Sequence, residues 1–376
     1  MDQNVKDLIY LLFCAANGAA PDEKRVQGMD LDTLFQISKA HSLSAAVHTA
    51  LDRAGVRDAR FYDAFNKSLR RNILHDAERQ ALSKELERAG IWYLPLKGCL
   101  LKDLYPVQGM REMADNDILY DSSRQNDLRE IMLRRGFEAE SVGETHHDVY
   151  IRKPLLNFEM HTALIEEMDN APALLSYYAD PERLLKPDGD GKYGRHLSDE
   201  DFYLYVTAHE YKHYISSGTG LRNLLDRYIF IRKKGRTADW NYITEQLREM
   251  KMRGFECRSR RLAKKLFSSA EFPALTEKET EMFLYYLDSS TYGNVRHYAE
   301  NAVKRHYSAG KHSSRISYIL KQLFPDAALM KPNYPFLARR RILLPAAYAL
   351  RGIKVLFFKR ERIKAEITAL RHYRKG

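Results

Sequence analysis

Cysteine is scarce in this chain: Cys14, Cys99 and Cys257 are the three present, and they lie far apart. They cannot build a disulfide framework or a cysteine-rich zinc site. A reducing, cytoplasmic setting is the expectation that follows. Long apolar runs are missing too. No stretch of about 18 uncharged apolar residues occurs, which argues against a membrane-spanning helix. The short apolar run Leu8 to Ala16 follows Asp2 and not a basic leader, so no signal peptide is expected. Internal repeats and low-complexity segments are also lacking. What remains is an ordinary globular composition, 44% hydrophobic and 30% charged over 376 residues. That length has room for about two or three domains and a sizeable core. The net charge of +11 suits an anionic partner such as a nucleotide, a nucleic acid or an acidic lipid surface, without choosing among them.

The chain is organised around Leu94 to Tyr120. An apolar strand, Ile91 to Leu96, turns at Lys97-Gly98 into a short helical run ending near Leu104. After Tyr105-Pro106 and a loop, a second strand opens on Asp115-Asn116-Asp117. Side chains alternate along a strand, so Asp115 and Asp117 are expected on one side, with Cα atoms roughly 6–7 Å apart. Two acids so placed can share one divalent ion or hold two of them.

On either side of this stretch the pattern is helical. Residues 1–89 read as an N-terminal helical domain. One helix spans Asp30 to His41. A longer one has Phe61, Phe65, Leu69, Ile73, Leu74, Leu82 and Leu86 at helical spacing. Residues 90–197 read as an α+β core. A helix from Gln125 to Arg135 closes at Gly136. Short strands follow at Phe137 to Glu140, Asp148 to Arg152 and Asn157 to Thr162. Residues 198–376 read as a C-terminal helical domain with a basic tail. Its expected helices run from Ser198 to Ile215, Leu221 to Lys234, Asn241 to Met252, Cys257 to Phe267 and Glu277 to Leu287. Thr276 and Glu279 have capping-box spacing before the last of these. From Arg339 onward the chain is strongly basic. Arg339, Arg340, Arg341, Arg351, Lys354, Lys359, Arg360, Arg362, Lys364, Arg371, Arg374 and Lys375 face only Glu361 and Glu366. With the apolar run Ile342 to Phe358 among them, this part can rest on an anionic membrane surface or form a solvated helical hairpin.

Nucleotidyl transfer requires carboxylates to hold a metal on the triphosphate, donors or cations to cradle phosphate, and often a further carboxylate. Asp115 and Asp117 fit the first requirement, at the mouth of the apolar run Ile118-Leu119-Tyr120. Lys97 and Gly98 fit the second, because a glycine at a strand-to-helix turn lets phosphate approach the backbone. Arg111 can also reach phosphate or stay a surface cation. Glu159 is the candidate third carboxylate; it shares a strand face with His161 because Phe158 and Met160 alternate with them, a pattern that a solvent-facing edge strand gives equally well. His146 and His147 can touch a ribose or phosphate. Arg222 can meet phosphate or pair with Asp226 one helical turn away.

A second motif competes. His209-Glu210-Tyr211-Lys212-His213 spells the zinc-peptidase pattern, two histidines one turn apart with a glutamate as base. No third histidine follows, and Lys212 puts a cation between the ligands.

Taken together, Leu96-Lys97-Gly98, Tyr105-Pro106, Arg111, Asp115-x-Asp117 and Glu159-x-His161 resemble a bacterial nucleotidyltransferase family of the DNA polymerase beta-like superfamily. The resemblance covers most of the chain. It extends to Gly218-Thr219-Gly220-Leu221-Arg222-x-x-x-Asp226 and to Tyr318-Ile319-Leu320-Lys321-Gln322-Leu323-Phe324-Pro325. It implies an α+β fold, a nucleotidyltransferase-like mixed β-sheet core flanked by large helical regions. It also implies that Asp115, Asp117 and Glu159 are catalytic and bind Mg²⁺ or Mn²⁺. Lys97, Gly98, Arg111, His161 and Arg222 are then expected at the nucleotide, with ATP the first candidate and an unidentified hydroxyl as acceptor. Two departures stand out: Cys99 replaces the usual second turn residue, Gly or Ser, and polar Asn116 replaces an apolar one between the acids. The alternatives are a zinc metallopeptidase on His209, Glu210 and His213, or a catalytically degenerate protein that binds nucleotide, RNA or membrane.

Overall fold

Aspartates set just ahead of apolar periodic runs start the N-terminal helices. In a computed structural model of the protein, Asp2, Asp22, Asp30 and Asp58 accept backbone N–H bonds at the starts of α1 (Gln3–Asn17), α2 (Glu23–Gln27), α3 (Leu31–Ala40) and α5 (Ala59–Ala89). Each satisfies donors that a helix start leaves orphaned. Between them lies α4 (Ser44–Arg53). The structure describes residues 1–141, 147–165, 171–189, 192–291, 293–308, 314–325, 330, 334, 343–358 and 360–372. His146 and the basic positions Arg339, Arg340, Arg341, Lys359, Arg374 and Lys375 lie outside them. By its contacts the chain divides into two units, 1–211 with 220–287, and 212–219 with 288–376.

The first unit holds a five-stranded sheet of β1 (Tyr93–Pro95), β2 (Asn116–Tyr120), β3 (Glu138–Ser141), β4 (His147–Arg152) and β5 (Leu156–His161), in the order β1-β2-β5-β4-β3. Only β2 and β5 run parallel; the other neighbours are antiparallel. Between β1 and β2 lies the single turn α6 (Gly98–Leu101), and between β2 and β3 lies α7 (Gln125–Arg134). Further helices are α8 (Pro172–Tyr177), α9 (Asp199–Tyr214), α10 (Leu221–Lys234), α11 (Trp240–Glu249), α12 (Arg253–Phe267) and α13 (Glu277–Ser289), with the small ribbon β6 (Lys186–Pro187) and β7 (Arg195–His196) before α9. The fold class is therefore α+β with a mixed sheet and many flanking helices, as the sequence pattern implied.

Alternation divides the sheet cleanly into two faces. Ile118, Tyr120, Phe158 and Met160 pack with Leu82 and Leu86 of α5 and Leu128, Ile131 and Met132 of α7. Burying each such side chain is worth roughly 1.5–3 kcal/mol. On the opposite face Leu94 and Leu119 join Leu101, Tyr203, Leu204 and Tyr205. Asp117, Glu159 and His161, one residue out of phase with the first set, belong to this second face.

One helix departs from its expected pattern. Ile73 and Leu74 of α5 are exposed, although their spacing matched the apolar stripe. The buried residues in mid-helix are Ser68, Asn72 and His75. They hold the chain between α6 and β2. Asn72 and Ser68 donate to the Arg111 carbonyl, and Asn116 donates to the His75 carbonyl. Tertiary hydrogen bonding has overridden periodicity here.

In the second unit, α14 (Val295–Ser308), α15 (Arg315–Leu323) and α17 (Arg360–His372) meet through Val303, Tyr318 and Leu370. Met330 and Tyr334 pack with Ala347 of α16 (Leu344–Phe358). No helix among the described residues is long and apolar enough to cross a membrane.

Candidate active site

Register brings together what the chain separates. In the parallel pair β2–β5, Asp117 sits opposite Glu159, and Leu119 opposite His161. Since Glu159 and His161 are two apart on one strand, all three side chains rise from the same face. Ligand atoms of Asp117, Glu159 and His161 all lie within 4.8 Å of one another. His161 Nε2 is 2.8 Å from Asp117 Oδ1 and 3.7 Å from Glu159 Oε2. Among the described residues this is the group of His, Cys, Asp or Glu able to hold an ion. Asp115 is outside it. Asp115 directly precedes β2, which begins at Asn116, and it lies near enough to Asp117 for the two charges to interact. His161, expected at the nucleotide, is inside the group.

Electrostatics tie the cluster to Lys97. Its Nζ lies 2.8 Å from Asp117 Oδ1, with both side chains largely buried. The ammonium and the His161 bond hold Asp117 well below the ordinary carboxylate range, outweighing the upward push of burial. Asp115 moves the other way, up to about 6, through burial and then the nearby Asp117 charge. His161 is pushed down to about 4, chiefly by burial. Lys97 has φ +47° and ψ −116°, a conformation that a non-glycine residue adopts only at a cost. The surrounding turn enforces it: Leu96 donates its N–H to the Asp117 carbonyl, and Leu100 and Leu101 donate to the Lys97 carbonyl.

The remaining expected positions are distributed differently. Arg111 is buried and makes two bonds to Asp226, Nε to Oδ1 at 2.8 Å and Nη2 to Oδ2 at 2.9 Å. Tyr105 donates to the same carboxylate. Arg111 is thus a buried brace between the α6–β2 connection and α10, not an exposed phosphate contact. A Cβ on Gly98 would lie 2.8 Å from Arg111 Nη1, so the missing side chain there makes room for this arginine. Arg222 does not pair with Asp226; its Nη1 donates to the Glu112 carbonyl, and its charge lowers Asp115. Cys99 is buried and donates to the Leu96 carbonyl, its thiol pushed up to about 12 by burial. It offers phosphate nothing. Asn116 points to the opposite sheet face, where Arg79 donates to its Oδ1. His147 on β4 is level with His161, ring centroids 5.3 Å apart.

One side chain packed on this sheet face was not anticipated. Tyr205 on α9 is fully buried, and its hydroxyl has no hydrogen-bond partner among the described residues. It lies in the field of Lys97, Asp117 and Glu159. The hydroxyls of Tyr120, Tyr150, Tyr177 and Tyr178 are in the same condition, so its position in that field, and not its lack of a partner, sets Tyr205 apart. Only its place on α9, with no motif around it, connects it to the sheet.

The donor set fits a divalent ion: two carboxylates and an imidazole at mutual ligand spacing. The peptidase pattern does not form such a set. Glu210 is fully enclosed, ion-paired to Arg227 and accepting from Tyr286 Oη. Neither His209 nor His213 belongs to the ion-capable group.

Comparison with known proteins gives the family. The chain belongs to a nucleotidyltransferase family: residues 27–268 match the family described as an uncharacterised nucleotidyltransferase. Neither a curated protein nor a solved structure gave a match.

Proposed function

We propose that this protein is a divalent-metal-dependent nucleotidyltransferase that moves a nucleoside monophosphate from an NTP to an acceptor hydroxyl. The observation that carries the reading is the convergence of Asp117, Glu159 and His161 on one sheet face, within the segment that matches the family. Bound there, Mg²⁺ or Mn²⁺ supplies Lewis-acid polarisation of phosphoryl oxygens. Asp117 is the anchor, since Lys97 and His161 keep it ionised. Glu159 is the more exposed carboxylate, 24% against 7% for Asp117. It faces the incoming substrate, where it orients the acceptor hydroxyl or takes its proton. Lys97 carries its charge on a flexible stem and can turn from Asp117 toward phosphate. Arg222 and Asp115 form the charged rim beside Asp117, and Arg111 with Asp226 holds that rim to α10. The family name implies a nucleotide substrate; ATP is the first to test, and the acceptor is a hydroxyl on a small molecule, sugar or protein. The test is transfer of label from an α-labelled NTP to acceptors in the presence of Mg²⁺ or Mn²⁺. Asp117→Asn should abolish it while Glu210→Gln leaves it intact; undiminished labelling by the Asp117 variant overturns the reading.

A further inference from the structure

We propose that the second unit carries a docking surface for an anionic lipid bilayer, made by the exposed apolar sides of α15 and α16 among clustered basic residues. The surface stands apart from the sheet-borne site and does not depend on what that site catalyses. On α15, Ile319, Leu320 and Leu323 are 46–54% exposed, and Phe324, next after the helix, is 55% exposed. The three helical ones fall within about 100° of arc. Tyr318, on the other side, packs with Val303 and Leu370. The apolar stripe therefore points away from the core, the reverse of an ordinary surface helix. The pattern recurs on α16. Pro345, Ala346, Ala349 and Leu350 are exposed, as is Leu343 just before the helix, while Ala347 packs with Met330 and Tyr334. No exposed residue from 343 to 350 is polar. The two helices are tied to each other. The Phe324 and Tyr348 ring centroids are 5.3 Å apart, Tyr348 donates to the Pro325 carbonyl, and Arg351 donates to that of Gln322.

Charge identifies the occupant. From Arg315 to Gly376, fifteen Lys and Arg face three acids, Asp326, Glu361 and Glu366, a net charge of +12, whereas the 314 residues before them come to −1. The whole surplus of cations thus sits in the segment that exposes its apolar sides. A protein partner is poorly matched, since the cores of protein interfaces are depleted of charge and of lysine. A nucleic acid is met at its phosphates by cations and polar groups, and aliphatic side chains add little there. A bilayer with anionic headgroups takes both features at once: apolar side chains enter the acyl boundary, and Lys and Arg stay at headgroup level. The mode is interfacial. α16 has 15 residues, which make about 22 Å of helix, too short to cross about 30 Å of hydrocarbon.

The test is flotation of the full chain with vesicles of phosphatidylcholine alone and of phosphatidylcholine mixed with phosphatidylglycerol, at low and high salt. Binding to the anionic vesicles should be at least about tenfold tighter and should weaken with salt. Leu320→Ser combined with Leu323→Ser should weaken it at least about tenfold, with the circular dichroism of the protein unchanged. Leu323→Trp should be quenched by brominated acyl chains beyond the quenching seen in the unaltered chain. No binding to anionic vesicles, or equal binding to neutral ones, overturns the proposal. So does binding that salt abolishes but the serine pair leaves untouched, which is adsorption by charge alone. Tighter binding to single-stranded RNA than to vesicles, or self-association that the serine pair abolishes in a chain that ignores vesicles, also overturns it and names the other occupant. The vesicle comparison uses the unaltered chain, so a variant that misfolds does not blunt the test.

Discussion

Two regions of this molecule carry similar residues and have opposite prospects. At the β2–β5 edge, Asp117 and Glu159 sit with His161 under a single lysine. On α9, Glu210 sits in a histidine-flanked motif but under Arg227, whose guanidinium also bonds Tyr203 and Thr207. Lys97 meets one carboxylate oxygen through a single ammonium; Arg227 is a planar fork fixed by three partners, with both ion-pair members about 2% exposed. A carboxylate partnered by a single ammonium, beside a neighbour that is 24% exposed, can exchange that ammonium for an ion. A carboxylate sealed by a rigid guanidinium and a tyrosine cannot. What separates a reactive acid from a structural one is thus the geometry and burial of its counter-charge, not the motif that contains it.

The sharpest way to break the comparison is to neutralise each acid in turn. Asp117→Asn should lower metal-dependent labelling by on the order of 10³-fold or more, since removing a metal anchor forfeits several kcal/mol of transition-state stabilisation. Glu210→Gln should change labelling little. The stability readout reverses the order. Glu210→Ala leaves Arg227 buried and unpaired, and should cost about 3–5 kcal/mol in denaturant unfolding. Asp226→Ala, which strands Arg111 in the same way, should cost about as much. Should Glu210→Ala instead release a stoichiometric zinc ion with unchanged stability, the two regions have been assigned the wrong way round.

Histidine sharpens the same contrast. His161 is buried against carboxylates, whereas His41 is 1% exposed and accepts the Leu221 backbone N–H. Burial pushes His41 down to about 4. Its unfolded value is near 6.5, so the unfolded chain binds the extra proton first as pH falls. Stability from His41 is therefore complete above about 6.5 and is lost as pH drops toward 4, by at most about 3 kcal/mol. Unfolding measured from pH 7 to 4 should show that slope, and His41→Asn should reduce it, the rest coming from His161 and the other buried histidines. The smallest effect belongs to a purely local device. Thr276 and Glu279 exchange backbone bonds at the start of α13, and Thr276→Ala should cost about 1 kcal/mol with no effect on labelling.

Much of this could be read from local pattern. The capping box at Thr276, the glycine closing α7 and the run of α10 from Leu221 to Lys234 all follow from interactions within a few residues. So does the shared face of Glu159 and His161. Arg111 and α5 were harder. Whether an arginine meets phosphate or a buried aspartate depends on Asp226, far along the chain. The polar face of α5 exists to hold a loop that no helical periodicity announces.

By itself the sequence determined which residues alternate, where the acids fall in a strand–turn–helix–strand stretch, and that the chain belongs among α+β folds; each depends on spacing over a handful of residues. Only the tertiary structure decided that His161 joins Asp117 and Glu159 in one ion-capable group, that Arg111 is occupied and that Glu210 is sealed. Those outcomes depend on strand register and on which distant charge arrives first at a buried group, and short-range pattern carries neither.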